Sequence, residues 1–382
     1  MNPKVLLYVQ HLWGVGHVYR ATRIAHGMAR AGMEVHLVWG GTRLPGFNFG
    51  GLNAHFLTPV RTSDASFSQL LHGDGSVFSD VDKDRRRDQL LALAAEIRPD
   101  IVITEAFPFG RRQMRFELLP LLEFLSSLDR RPLIAASIRD IMQEDRKPAR
   151  VSESCELMER YFDLVLVHGD EKLIAIEETL QGIEDFKDKI RYTGLVTPEP
   201  SSGEMVEDPV NVLVSVGGGA FGRELLMTAI EAMPLCNKFP SGWKITTGTE
   251  ISDESFEEIK KRAPDGMTVV RHIRDMVAQL QASKVSVSHS GYNTVGDLLQ
   301  AGCKAVLYPY TGGRETEQLR RAQMMDRLGL AKLLAPQSLS TLSLASAVDQ
   351  IAESPIVKAK LDTDGASQTA RILFSELGHT LN

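Results

Sequence analysis

Two stretches of the chain carry residues whose types and spacing suit chemistry. The first is Gly14-Val15-Gly16-His17-Val18-Tyr19-Arg20. The second runs from His289-Ser290-Gly291 through Asn293, Thr294 and Asp297 to Glu317-Gln318. In the first, two glycines let backbone approach a ligand closely. His17 follows them at or just before a helix start, where the positive end of the helix dipole disfavours imidazolium. An imidazole kept neutral near pH 7 can accept a proton. In the second, Ser288–Gly291 is a small polar turn between an alternating strand (Val285, Val287) and a helix whose apolar positions are Val295, Leu298 and Leu299. A helix start behind such a turn presents free backbone N–H groups, a ready site for phosphate. Taken singly, each motif also fits a plain strand-to-helix turn.

The elements that must hold these residues alternate between strand and helix. Residues 4–9 read as a buried first strand, 18–31 as a helix stopped by Gly32, and 34–39 as a second strand. Residues 40–90 read as loops and a helix start, and the charge run Asp80–Asp88 as a solvated face. Strands at 100–104, 133–137 and 164–167 each run into polar residues: Glu105, Arg139-Asp140 and His168. Ligands of open α/β sheets bind at the carboxyl ends of the strands. Gly14, Gly16, Arg20, Glu105, Arg139, Asp140 and His168 are therefore expected at the ligand edge of this sheet, an edge that the family resemblance given below implies faces an acceptor, with Glu105 or Asp140 the next base after His17. The Leu-rich helix 116–128 is expected to pack on this sheet rather than rest on a membrane.

A linker is expected after Tyr192–Pro200, and a new strand, Val210–Val216, then enters Gly217-Gly218-Gly219-Ala220-Phe221-Gly222-Arg223. That glycine run is the first strand-to-helix turn of a second half. Its amides can approach a diphosphate, with Arg223 adding charge.

The run Ser290–Asp297 followed by Glu317-Gln318 resembles the donor-binding segment of GT-B glycosyltransferases. The nearest likeness is to the N-acetylglucosaminyltransferases that complete the lipid-linked peptidoglycan precursor. The resemblance covers most of the chain and is most specific in its C-terminal half. It implies that the Ser290-Gly291 turn holds a nucleotide diphosphate, that Asp297 holds the ribose hydroxyls, and that Glu317 and Gln318 contact the sugar. It also implies that the backbone at Ile273, within Arg271–Met276, reads the uracil edge. The loop after Val216 has one more residue before its last glycine than the family's turn. Gly14–Arg20 is similar both to the acceptor-facing Gly-Gly-His turn of that family and to the Gly-x-Gly-His-x-x-Arg motif of the nucleotide-sugar hydrolases of pseudaminic acid synthesis.

Composition bounds these readings. At 382 residues the chain exceeds what one core usually serves, so two domains are expected. A net charge of −6 gives no reason to expect nucleic acid. Cys155, Cys236 and Cys303 are far apart and lack metal-ligand spacing, which fits a reducing cytoplasm. No apolar run is long enough to span a bilayer, and the N-terminus enters a strand at once, without a signal peptide.

The expected fold is α/β of the GT-B type, with two Rossmann-like domains facing each other across a cleft. Residues 1–195 form the acceptor domain, 196–364 the nucleotide-sugar donor domain, and 365–382 a helix crossing back to the first domain. The expected activity is inverting glycosyl transfer from a nucleotide diphosphate sugar, UDP-linked, to an unidentified hydroxyl acceptor. His17 is the base, and no metal or other cofactor is expected. Such an enzyme would serve cell-envelope or natural-product glycosylation and be cytoplasmic, with at most peripheral membrane contact. Two alternatives remain open: a nucleotide-sugar hydrolase or epimerase in which water meets His17, and a nucleotide-sugar-binding regulator without turnover.

Overall fold

The structure is a computed structural model. It describes residues 2–378 apart from 13–15, 45–46, 63–68, 143–146, 201–205, 207, 218–221, 250, 313–314 and 358–359. The chain divides into two compact units: Met1–Val196 with Asp364–Asn382, and Thr197–Thr363.

In the first unit, strands β1 (Lys4–Val9), β2 (Glu34–Trp39) and β3 (Asn53–Phe56) are followed by a two-stranded antiparallel pair, β4 (Arg61–Thr62) and β5 (Leu70–Leu71). Then come β6 (Ile101–Glu105), β7 (Leu133–Arg139), β8 (Leu164–His168) and β9 (Ile190–Tyr192). The main sheet is wholly parallel, in the order β3-β2-β1-β6-β7-β8-β9. Helices α1 (Gly16–Arg30), α2 (Asp80–Ile97), α3 (Arg115–Ser126) and α4 (Pro148–Tyr161) make the crossovers. The strands are near-continuous apolar runs because helices cover both faces of a parallel sheet. Leu6, Val102, Ile134 and Val165 are fully buried in one core with Leu118, Leu121, Leu122 and Leu125 of α3, so that helix packs on the sheet as expected.

The charge run does not form a simple solvated face. Ser79 caps α2 with a capping box, and the helix turns Arg86 fully into the core. Arg86 Nε donates to Glu117 Oε2 at 2.6 Å, and its Nη2 donates to Glu117 Oε1 at 3.0 Å and Gln10 Oε1 at 2.7 Å. Its Nη1 donates to the carbonyls of Gly40 (2.7 Å) and Thr58. Tyr8 Oη completes the network by donating to Glu117 Oε1. An arginine among charged neighbours looks exposed in sequence; here a buried carboxylate on α3 is what draws it in.

The second unit contains β10 (Val212–Ser215), β11 (Trp243–Thr246), β12 (Met267–Val270), β13 (Val285–Ser288), β14 (Lys304–Leu307) and β15 (Lys332–Leu333). Its parallel sheet has the order β12-β11-β10-β13-β14-β15. Helices α5 (Arg223–Ala232), α6 (Asp253–Arg262), α7 (Met276–Gln281), α8 (Tyr292–Ala301), α9 (Glu317–Arg327) and α10 (Thr341–Glu353) surround it. Gly302, at φ +66°, stops α8 in the left-handed conformation that glycine adopts without strain. The last helix, α11 (Gly365–Glu376), belongs to the first unit and packs on α1.

Both sheets are doubly wound, with one switch point each where the strand order reverses, between β1 and β6 and between β10 and β13. In doubly wound sheets such points are where ligands bind, outside the carboxyl ends of the strands. Among the described residues no helix is long and apolar enough to cross a membrane.

Candidate active site

The switch point of the first unit brings His17 and Glu105 together. His17 lies in the first turn of α1, and Glu105 is the last residue of β6, fully buried. His17 Nδ1 stands 2.8 Å from Glu105 Oε1, and the Arg20 guanidinium donates to the same oxygen. Arg20 lies one helical turn beyond His17 on the same face of α1, and its Nη2 is 3.3 Å from His17 Nδ1.

Burial raises the Glu105 carboxyl, but His17 and Arg20 outweigh it and bring it to about 2. At neutral pH the always-charged Arg20 is the partner that keeps the carboxylate ionised. A carboxylate can only accept, so the hydrogen-bond network assigns the Nδ1 proton to His17 and leaves the lone pair on Nε2. Burial lowers the His17 pKa to about 4, with Glu105 pulling the other way. The imidazole is thus neutral near pH 7, chiefly because it is buried rather than because of the helix dipole. Its side chain is still 23% exposed, which leaves it reachable.

The other acceptor-side candidates separate. His168 is a core histidine, correcting its expected place at the substrate: it is fully buried, with Nε2 2.8 Å from Ser137 Oγ and Nδ1 2.9 Å from Thr193 Oγ1. Both ring nitrogens are engaged, so no atom is left for an acceptor. Asp140, 4% exposed, turns Oδ1 back onto the N–H of Ile141 at 2.9 Å. Arg139 ends β7 and is half-buried. Gly16 starts α1, whereas Gly14 lies outside the described residues.

Arg111 is not among the residues that the sequence singles out. It sits in the loop leaving β6, and its Nε and Nη2 are buried without a hydrogen-bond partner. Burial lowers its pKa, Glu105 raises it and Arg139 lowers it again, so those groups lie close around it. The usable signal was the run Glu105–Arg111 at a strand end.

At the switch point of the second unit, His289 follows β13. Its Nδ1–H donates to the Tyr308 carbonyl at 2.7 Å, so Nε2 carries the lone pair, buried and without a partner. Burial lowers its pKa, the Tyr308 contact opposing. A Cβ at Gly222 would stand 3.0 Å from that Nε2 and 2.4 Å from Val216, so glycine leaves the backbone room beside His289. Gly217 has φ +76°, while Gly218 and Gly219 lie outside the described residues. Helix α8 begins at Tyr292 behind Gly291, whose position carries no side-chain cap. Asn293, Thr294 and Asp297 are half-buried, and Asn293 and Asp297 share one face. Ile273 is half-buried against the α7–α8 core.

Three donor-side candidates are engaged within the chain. Gln318 braces loops through its side-chain oxygen. Its Oε1 accepts from the N–H of Ser290 (3.2 Å) and of Tyr310 (3.1 Å), while Ser290 Oγ donates to its carbonyl at 2.7 Å. Glu317 is buried and bonded to Arg321 Nη2 at 2.8 Å, and Arg321 Nη1 holds the Ser290 carbonyl at 3.0 Å. Arg223 reaches Glu258 at 2.6 Å on the surface between α5 and α6. The first two share a cause: the β13 turn needs partners for its own backbone, and α9 supplies them. Among the described residues no group of His, Cys, Asp and Glu is arranged to hold a metal.

Two Rossmann-like units of this order define the class: the chain has the GT-B fold. Solved structures agree over nearly its whole length. Acinetobacter baumannii MurG covers 98% of this chain and 99% of its own at a TM-score of 0.62 and 14% identity. The kitacinnamycin glycosyltransferase covers 100% and 97% at a TM-score of 0.65 and 14% identity. More particularly, residues 213–372 match the glycosyltransferase family 28 C-terminal domain. The chain resembles the UDP-N-acetylglucosamine–N-acetylmuramyl-(pentapeptide) pyrophosphoryl-undecaprenol N-acetylglucosamine transferase of Thermotoga neapolitana, at 24% identity over 207 residues, 53% of this chain and 57% of that protein. It is also 26% identical over 173 residues, 45% of this chain and 46% of the relative, to an uncharacterized glycosyltransferase of Methanopyrus kandleri. The matches thus span about half the length of these relatives.

Proposed function

We propose that this protein is an inverting, metal-independent glycosyltransferase that moves a sugar from a UDP-linked donor to a hydroxyl acceptor. The observation that carries the reading is the His17–Glu105 pair at the switch point of a GT-B fold, its lone pair fixed on Nε2. The acceptor hydroxyl gives its proton to His17 Nε2 as its oxygen attacks the anomeric carbon. The bond from that carbon to the diphosphate oxygen breaks, and UDP leaves with the electron pair. Glu105 stabilises the imidazolium formed. The donor's diphosphate is held by backbone N–H groups at Gly217–Gly219 and at the start of α8, and that array takes the charge of the leaving group. Asp297 and the Ile273 backbone fit the nucleoside. The likeness to the Thermotoga protein supports a UDP-linked donor and a lipid-linked acceptor, and that to the kitacinnamycin glycosyltransferase a small-molecule acceptor.

The test is a panel of nucleotide diphosphate sugars, each assayed for UDP release with and without hydroxyl acceptors and with EDTA. Acceptor-dependent UDP release that survives EDTA is expected, with a product of opposite anomeric configuration by NMR. Release without any acceptor identifies a hydrolase instead, and UDP binding without release a regulator.

A further inference from the structure

We propose that Arg111 is a side-on receptor for an oxyanion, phosphate or carboxylate, carried by the acceptor and set beside His17 at the switch point of the first unit. The proposal deepens the transferase reading and rests on its assignment of this edge to the acceptor. The geometry begins with the loop that leaves β6 at Glu105. Ala106 has φ +66° and Arg111 φ +55°, both left-handed and neither a glycine. Such residues strain the backbone, and strain of this kind persists where surrounding structure holds a ligand clamp.

What the strained backbone presents is one edge of a guanidinium. Nε and Nη2 are both buried without a hydrogen-bond partner. The N–H bonds of that edge run parallel and match two oxygens of one carboxylate or phosphate. Burying such donors unpaired is costly, so a group that pairs them on binding is strongly favoured. The protein does not supply that group. Glu105 is the carboxylate acting on Arg111, yet its Oε1 is taken by His17 and Arg20, and its Oε2 likewise has no partner. Arg20 and Arg139 add positive charge around Arg111, so two arginines stand against one carboxylate among the groups acting on it. His11 lies within reach of the same charge, its Nδ1 also buried and unpartnered and its ring edge-on to Trp39 at 5.4 Å. The chemistry of this pocket is that of an anion site next to a general base.

The experiment is calorimetry on the full chain with UDP saturating, using three probes: inorganic phosphate, acetate, and vesicles of phosphatidic acid in phosphatidylcholine. Each is titrated into wild type, Arg111→Gln and Arg111→Lys. At least one probe should bind wild type and bind at least tenfold more weakly to Arg111→Gln. Arg111→Lys should fall between, because lysine keeps the charge and loses the fork. The probe affected identifies the source: a free phosphate, a carboxylate or a lipid headgroup. UDP titrations should be the same in all three proteins, which also reports folding; if Arg111→Gln fails to fold, Arg111→Lys decides. The proposal is overturned if no probe binds wild type, or if binding is indifferent to both substitutions. Failure of wild type to bind UDP strikes the transferase reading alone and leaves the anion result standing.

Discussion

His17 is held by two neighbours with different tasks, and substitutions separate them. Glu105 fixes the tautomer, and Arg20 keeps Glu105 ionised. His17→Ala removes the base and should lower kcat by roughly a hundredfold or more, the usual scale for losing one. UDP affinity should be unchanged, since the family 28 domain lies in residues 213–372. Near-full turnover in that variant would hand the role to another group. Glu105→Gln acts through His17. The amide can still meet Nδ1 but no longer stabilises imidazolium, so kcat should fall by roughly ten- to a hundredfold while KM holds. The pH profile carries the distinguishing readout. Glu105 raises the His17 pKa, which burial has lowered to about 4. Without the carboxylate, the acid limb of kcat/KM should move to lower pH. An acid limb that stays put, or moves up, would dissociate Glu105 from the base.

At the scale of elements, the network beneath β1 sets the shape of the first unit. Arg86, Glu117, Gln10 and Tyr8 are all fully buried and bonded to one another. Gly40, just past β2, gives this network its space: a Cβ there would stand 2.1 Å from Gln10 Oε1 and 2.5 Å from Arg86 Nη2. Gly40→Ala should therefore cost about 3–5 kcal/mol, the scale of breaking a buried charge pair. Urea unfolding would show it, and a cost under about 1 kcal/mol would mean the network shifts freely. This network also marks where the sequence became hard to read. The strands and the first helix are legible because apolar runs and periodic stripes record burial directly: β2 falls at Glu34–Trp39 as expected, and α1, expected over 18–31, runs Gly16–Arg30. Long-range polar pairing leaves no such record. Nothing local distinguishes Arg86 from its exposed neighbour Asp88, or His168 from a substrate-facing histidine; their partners, Glu117 and Thr193, are 31 and 25 residues away. The His17–Glu105 contact spans 88 residues and follows only once β1 and β6 are known to be neighbours. Gln318 likewise bonds the β13 turn, a pairing that no local pattern records, and Glu317 bonds Arg321.

The molecule as a whole should be acid-labile above the range where carboxylates titrate. Burial lowers the pKa values of His11 and His17 to about 4, and that of His168 to about 3. Unfolded, each would titrate near 6.5. Between those values the unfolded chain binds protons that the native one refuses, so stability falls as pH falls from 6.5 towards 4. Each histidine contributes a slope of up to ~1.4 kcal/mol per pH unit. Glu105, held at about 2, stabilises the fold above its unfolded value and loses that contribution only at lower pH. Urea unfolding at pH 7, 6 and 5 should show the loss; a flat profile would mean the histidines protonate without unfolding.

The order of the chain through its two units gives a last expectation, one that runs against sequence proximity. The second unit is a continuous insertion, Thr197–Thr363, and the first is completed only when α11 returns. That helix is tightly seated on the first unit. A Cβ at Gly27 of α1 would stand 2.6 Å from the Ala366 carbonyl oxygen, and the Gly365 N–H donates to Leu195 O at 3.1 Å. Ala370 and Leu373 are fully buried, and Arg191 reaches Glu376 at 2.9 Å. A chain stopped after Thr363 loses residues that adjoin the second unit in sequence, yet the damage should fall on the first. The loss should be at least the ~2–5 kcal/mol of one deleted core leucine. Hydrogen exchange followed along the chain reads where it falls. Protection should drop in α1 and β9 while persisting through Val212–Leu307, and UDP binding should survive. Protection lost across β10–β14 instead would mean that the second unit depends on α11, and that the division of the chain at Val196 and Asp364 does not describe how it folds.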